Sequence, residues 1–77
     1  MDVTAWVGSV WSCREGRVLL GRVKAVEGGR AVLSVVGLGP VAPLGVEVLP
    51  LDPGGSQCVR VPLLTLVSRW KRMGGAT

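Results

Sequence analysis

Seventy-seven residues make one small domain, and a chain of that size buries only about 60% of the surface it exposes when unfolded. The composition is 48% hydrophobic with three aromatic residues, all Trp, alongside 12 Gly and 5 Pro; Val- and Leu-rich strands joined by tight turns suit it. Nine basic residues against five acidic ones give a net charge of +4, which permits an anionic partner without requiring one.

The opening segment, Met1 to Ala5, reads as a lead-in, and Trp6-Val7-Gly8 carries the chain into a first strand, Ser9 to Arg14. Glu15-Gly16 supplies a short turn, and the chain returns at Arg17. Counting back through that turn places Trp11 opposite Leu20 and Cys13 opposite Val18, on a face shared with Arg22 and Lys24. Gly21 inside this second strand marks a position for a bulge.

The centre of the chain is Arg17 to Val36, RVLLGRVKAVEGGRAVLSVV, two strands folded back at Gly28-Gly29. A loop of those two glycines alone sets Val23 against Ser34 and Lys24 against Leu33. A three-residue loop, Gly28-Gly29-Arg30, pairs Val23 with Val35 and Ala25 with Leu33. The second register collects Val23, Ala25, Ala31, Leu33 and Val35 on one apolar face, with Arg22, Lys24 and Ser34 on the other, and is preferred.

Gly37 to Gly45 reads as a loop because Gly-Pro and Ala-Pro disfavour helix and interior strand alike. A fourth strand follows at Val46 to Leu49, then a turn at Asp52-Pro53-Gly54-Gly55 and a fifth strand at Ser56 to Val61. Leu63, Leu64, Leu66, Val67, Trp70 and Met73 then recur at helical spacing. Pro62 suits a first helical position, the cations Arg69, Lys71 and Arg72 suit the last turn, and Gly74-Gly75 suit a stop. This predicts a helix over Pro62 to Met73. The competing reading is one helical turn at Leu63 to Val67 followed by a closing strand at Arg69 to Met73 with Trp70 pointing inward. The chain thus divides into a lead-in (1–8), a β-barrel (9–61), an amphipathic helix (62–73) and a tail (74–77).

Chemistry is scarce. There is no histidine, and Asp2, Glu15, Glu27, Glu47 and Asp52 are scattered, mostly at turns or ends, so no acid–base pair is visible. With no His and no CxxC, Cys13 and Cys58 make no ordinary zinc site; they read as two small buried hydrophobes, bonded only if their strands are neighbours. Gly37-Leu38-Gly39-Pro40 lacks the strand–glycine–helix context and the lysine of a phosphate loop. The expectation is a protein with no catalytic residues, metal or cofactor. No secretory signal is visible at the start. The longest uncharged run, Ala31 to Val46, is 16 residues and is interrupted by glycines and prolines, too short to span a bilayer. A cytoplasmic protein without a membrane partner is expected.

Three binding readings remain. A face holding Trp11, Val18, Leu20, Arg22 and Lys24 mixes an aromatic with aliphatics and cations, the types that dominate protein interfaces. Against it stands the reading in which Trp11 covers the end of the barrel. Nucleic acid is the second reading, through Arg14, Arg17, Arg22, Lys24 and Arg30 or through Arg69, Lys71 and Arg72. Self-association into a structural subunit is the third, since so apolar a small chain is expected to expose hydrophobic surface.

The opening VGSVW, the strand pair GRVKAV-EGG-RAVLSV and the closing PLLTLVSRWKRM resemble small SH3-like β-barrel proteins encoded by bacteriophages and prophages. The resemblance covers most of Val7 to Met73, and the Pro/Gly-rich stretch Gly37 to Gly45 departs from it. It implies an all-β fold, a five-stranded SH3-like barrel with a short C-terminal helix. It further implies a phage or mobile-element accessory protein that binds a host or viral protein as adaptor or inhibitor.

Overall fold

The computed structural model describes residues 5–14 and 19–75. Six antiparallel strands form one open sheet: β1 (Ser9–Cys13), β2 (Leu19–Glu27), β3 (Arg30–Val36), β4 (Glu47–Leu49), β5 (Cys58–Pro62) and β6 (Trp70–Gly75). A single short helix, α1 (Leu63–Arg69), stands between β5 and β6. The sheet order is β4-β5-β3-β2-β1-β6, so the first three strands sit in its middle and the chain's last strand closes against its first. The all-β class expected from composition holds, with six strands in place of five.

The core follows from alternation. Trp11 and Cys13 of β1, Leu19 and Val23 of β2, Ala31, Leu33 and Val35 of β3, Val59 and Val61 of β5, and Trp70 of β6 are buried together. Leu66 of α1 completes the cluster. Every second residue of a strand faces the same way, so Val10, Leu20, Arg22, Ser34 and Val36 are left on the outer face.

The central hairpin corrects the preferred register. Glu27 pairs with Arg30, so the loop is Gly28-Gly29 alone, not Gly28-Gly29-Arg30. Both glycines have positive φ, +56° and +76°, as the two-residue turn that matches strand twist requires. The register then shifts between Val23 and Ala25, leaving Lys24 without a partner in β3. That one-residue bulge sets Val23 against Leu33 and Arg22 against Ser34. Buried Val23, Ala31, Leu33 and Val35 thus share a face as expected, but Ala25 pairs with Val32 and not Leu33, which puts it on the other face, and Val26 packs against the core opposite Ala31 in its place.

The expected bulge at Gly21 is absent, and its glycine has another cause. An added Cβ there would come within 2.9 Å of both Leu33 Cδ2 and Val35 Cγ1. Gly21 is buried opposite Trp11 and Val35, where neighbouring side chains fill the space a methyl would take. The β1–β2 register differs from expectation accordingly: Trp11 faces Gly21, Ser12 faces Leu20, and Cys13 faces Leu19. The turn expected at Glu15-Gly16, with Arg17 and Val18, lies outside the described residues.

The helix predicted to Met73 ends at Arg69, and the competing reading is the correct one. Trp70 is extended (φ −108°, ψ 153°) and begins β6, which pairs Trp70 with Cys13, Lys71 with Ser12 and Arg72 with Trp11. Seven residues of helix gain little by continuing, whereas a strand buries Trp70 and pairs with β1. Leu64 and Val67, part of the supposed apolar stripe, are exposed. No side chain caps α1; instead the Leu63 N–H donates to the Gly29 carbonyl at 3.0 Å, satisfying one orphan donor of its first turn. From Ala5 the lead-in is a turn folded onto the sheet, with the Gly8 N–H donating to the Val23 carbonyl at 2.8 Å.

Gly21→Ala should destabilise the chain by about 1–3 kcal/mol through overpacking. A urea titration reporting an unchanged midpoint would show that Leu33 and Val35 have room to move.

Candidate functional site

Trp11, expected to anchor a binding face, is in the core at 6% exposure. Its indole stacks on Trp6 with ring centroids 5.4 Å apart and an interplanar angle of 3°. Its Nε1–H donates to Ser9 Oγ at 2.9 Å, and the Ser9 hydroxyl donates to the Trp6 carbonyl. Ser9 is fully buried, so its hydroxyl joins the two tryptophans through a site that water does not reach. The expectation that Trp11 meets a partner is therefore corrected: it closes the hydrophobic core. The cause is the β1–β2 register, which turns Trp11 inward above Gly21.

Of the other residues expected on that face, Leu20 and Arg22 are exposed on the outer surface of β2, and Val18 lies outside the described residues. Leu20 and Arg22 line a shallow open groove of about 210 Å³ with Val10, Gly21, Ser34 and Val36. Leu20 is 39% and Val36 67% exposed, opposite each other on adjacent strands. Ser34 falls on the outer face beside Arg22 as the sequence suggests, whereas Val10 takes the outward place expected of Trp11 because β1 pairs Trp11 with Gly21 and not with Leu20.

Lys24 is exposed but occupied. Its Nζ lies 3.0 Å from Asp52 Oδ2, joining the bulge to the loop between β4 and β5, and 3.9 Å from Cys58 Sγ. The Ser56 backbone N–H donates to Asp52 Oδ1 at 2.8 Å. That hydrogen bond, followed by the one from Lys24, holds the Asp52 carboxyl below its usual 3.8. Hydrogen bonding and charge attraction from Asp52 raise Lys24 above its usual 10.5. Cys58 and Cys13 are both buried, and no disulfide joins them.

The expected basic track does not assemble as one stripe. Arg22 stands in the groove, and Arg30 sits opposite Glu27 at the hairpin end. Arg14, Arg69 and Lys71 come together around a second pocket where β1 meets β6, with Arg72 next along β6; Arg17 lies outside the described residues. Trp70 lines that pocket beside the cations but is only 5% exposed, and Trp11 is buried as well, so neither offers an open ring face for base stacking.

Among the described residues no group of three or more His, Cys, Asp or Glu side chains could hold a metal ion. No helix among them is long and apolar enough to cross a membrane. No protein-family profile, no curated protein and no solved structure matches the chain.

Trp11→Ala and Trp70→Ala should destabilise to a similar extent, about 3–5 kcal/mol each, as truncations of buried indoles. Thermal melts that separate them, with Trp11→Ala near wild type, would return Trp11 to the surface. For Asp52 the sign follows from its lowered folded pKa: its stabilisation is present above the unfolded value and lost as pH falls through the folded one. The difference in urea midpoint between wild type and Asp52→Ala should hold steady from about pH 5 to pH 9 and shrink in more acidic buffer.

Proposed function

We propose that this chain is a non-catalytic binding module whose outer sheet face docks a protein partner. The observation that carries the reading is the groove over β1, β2 and β3, where Val10, Leu20 and Val36 form an apolar floor beside Arg22. Its partner presents an apolar side chain flanked by carboxylates. Burial of the aliphatics would supply affinity, and Arg22, which has no ion-pair partner among the described residues, would fix orientation.

The finer assignment, an SH3-like barrel of the kind encoded by phages and prophages and acting in the host cytoplasm, belongs to the same proposal. The sequence resemblance supports it, as does the succession of a meander, a helical turn and a last strand returning beside the first. On this reading β4 is an additional edge strand and the module acts as an adaptor or inhibitor. Nucleic acid is the alternative occupant, and self-association would place a second copy on the same face.

The test compares wild type with a Leu20→Asp/Val36→Asp double variant as baits in host lysate. Both sites are exposed but directly opposite each other, so two aspartates there repel and the variant should melt roughly 4–8 °C below wild type, and the comparison is made at a temperature where circular dichroism shows both baits folded. A protein retained by wild type should be lost by the variant, with affinity falling at least about tenfold once the pair is purified, or about 1.4 kcal/mol. Equal retention by both baits would sink the proposal. Binding to random single-stranded DNA that falls steeply with salt would favour the nucleic-acid reading.

A further inference from the structure

The pocket between β1 and β6 is separate from the groove and independent of what docks there. It has a volume of about 250 Å³ and is lined by Ser12, Arg14, Ser68, Arg69, Trp70 and Lys71. Ser12 belongs to the outward set of β1, paired with Leu20 on one side and Lys71 on the other. It is nevertheless only 4% exposed, and its hydroxyl oxygen has no hydrogen-bond partner. Among the described residues it is the one buried side-chain polar atom left in that condition. Native structures seldom leave such a group unmet unless something absent from the bare chain completes it.

The charges around it point to what that something is. Arg14 and Lys71 have no ion-pair partner among the described residues. The described carboxylates all lie elsewhere: Glu27 at the hairpin, Glu47 on β4 at the opposite edge of the sheet, and Asp52 in the loop beyond it. Glu47 is held by Arg60 at 3.2 Å and Asp52 by Lys24 at 3.0 Å. Among the described residues the charged groups lining the pocket are therefore all cationic, and they set a guanidinium fork and an ammonium near the Ser12 hydroxyl, while Glu15, next to Arg14, lies outside the described residues.

We propose that this pocket binds a single phosphate-type oxyanion through Arg14, Lys71 and the Ser12 hydroxyl. A guanidinium takes two oxygens of such a group at once, an ammonium a third, and a hydroxyl donates to whichever remains. A tetrahedral oxyanion offers enough acceptors for all of them, whereas a carboxylate has two oxygens. A pocket of about 250 Å³ leaves space for a phosphate and a substituent. With Trp11 and Trp70 buried and Arg22 apart in the groove, neither a stacking ring nor a continuous run of cations extends the site along a polynucleotide. A terminal phosphate monoester fits better than a diester backbone.

The test is an amide NMR titration of the intact chain with inorganic phosphate, then O-phosphoserine, at constant ionic strength balanced with sodium chloride. Saturable shifts confined to Ser12, Arg14 and the segment Ser68 to Lys71 are expected. Arg14→Met and Lys71→Met should each weaken binding by about tenfold, as loss of a charge-assisted contact does. Ser12→Ala gives a second readout. It should melt no lower than wild type without phosphate, because it removes an unsatisfied hydroxyl, and it should lose most of the phosphate-induced rise in melting temperature. Shifts of equal size at Arg22, Arg30 and Arg60, absence of saturation, or unaltered binding by Ser12→Ala would overturn the proposal. Tighter binding of an oligodeoxynucleotide lacking a terminal phosphate, with shifts reaching Arg22, would overturn it in favour of a polyanion track. None of these results touches Leu20 or Val36, so the groove stands or falls on its own experiment.

Discussion

A single unpaired residue, Lys24, decides which way half of this protein faces. The two-glycine turn commits the hairpin to a register in which Val23 would meet Ser34 and Lys24 would meet Leu33. Carried unbroken along both strands, it would turn core valines toward solvent and cations inward. Letting one residue of β2 go unpaired restores the phase, and Val23 meets Leu33. The displaced lysine is held by Asp52 from the loop between β4 and β5. The cost of a missing partner in the ladder is offset by an ion pair and by a continuous apolar face from β1 to β5.

Beyond the bulge, packing is governed by close approach. Gly21 lets Leu33 and Val35 occupy the space beside Trp11, and Trp6 covers the indole from its other side. Bulky aromatics are thereby absorbed, and the outer surface is left to aliphatics and cations. That division is the basis of the two sites: an apolar groove at mid-sheet and a positive pocket at the β6 edge.

Much of the architecture was legible in the sequence. Alternation in Ala31 to Val36, the glycine pair and the Asp52 to Gly55 turn located the strands to within a few residues. Val23, Ala31, Leu33 and Val35 share the apolar face as expected, because a bulge and a longer loop both repair the same mismatch, but between the turn and the bulge the phase differs and Val26 stands inward in place of Ala25. Trp11 was misassigned because its facing depended on a turn length that the sequence leaves open. The last helix was overextended because Leu63 to Met73 satisfies helical spacing by composition alone. What stopped it at Arg69 was the free edge of β1, which no local pattern reveals. The β1–β6 pocket was half visible: its cations stood out, but Ser12 became meaningful only once β1 had neighbours on both sides.

The contact between Leu63 and Gly29 bears on how the molecule assembles. A seven-residue helix has almost no autonomous stability in water, and this one borrows a carbonyl from a turn more than thirty positions upstream for its first free amide. Its nucleation is thus a long-range event. That bond exists only while the hairpin turn is in place, so the first turn of α1 and the Gly28-Gly29 turn are coupled, and β6 follows the helix directly. Pairing of β6 with β1 joins the two ends of the chain, a non-local contact whose formation costs loop-closure entropy that no local propensity supplies.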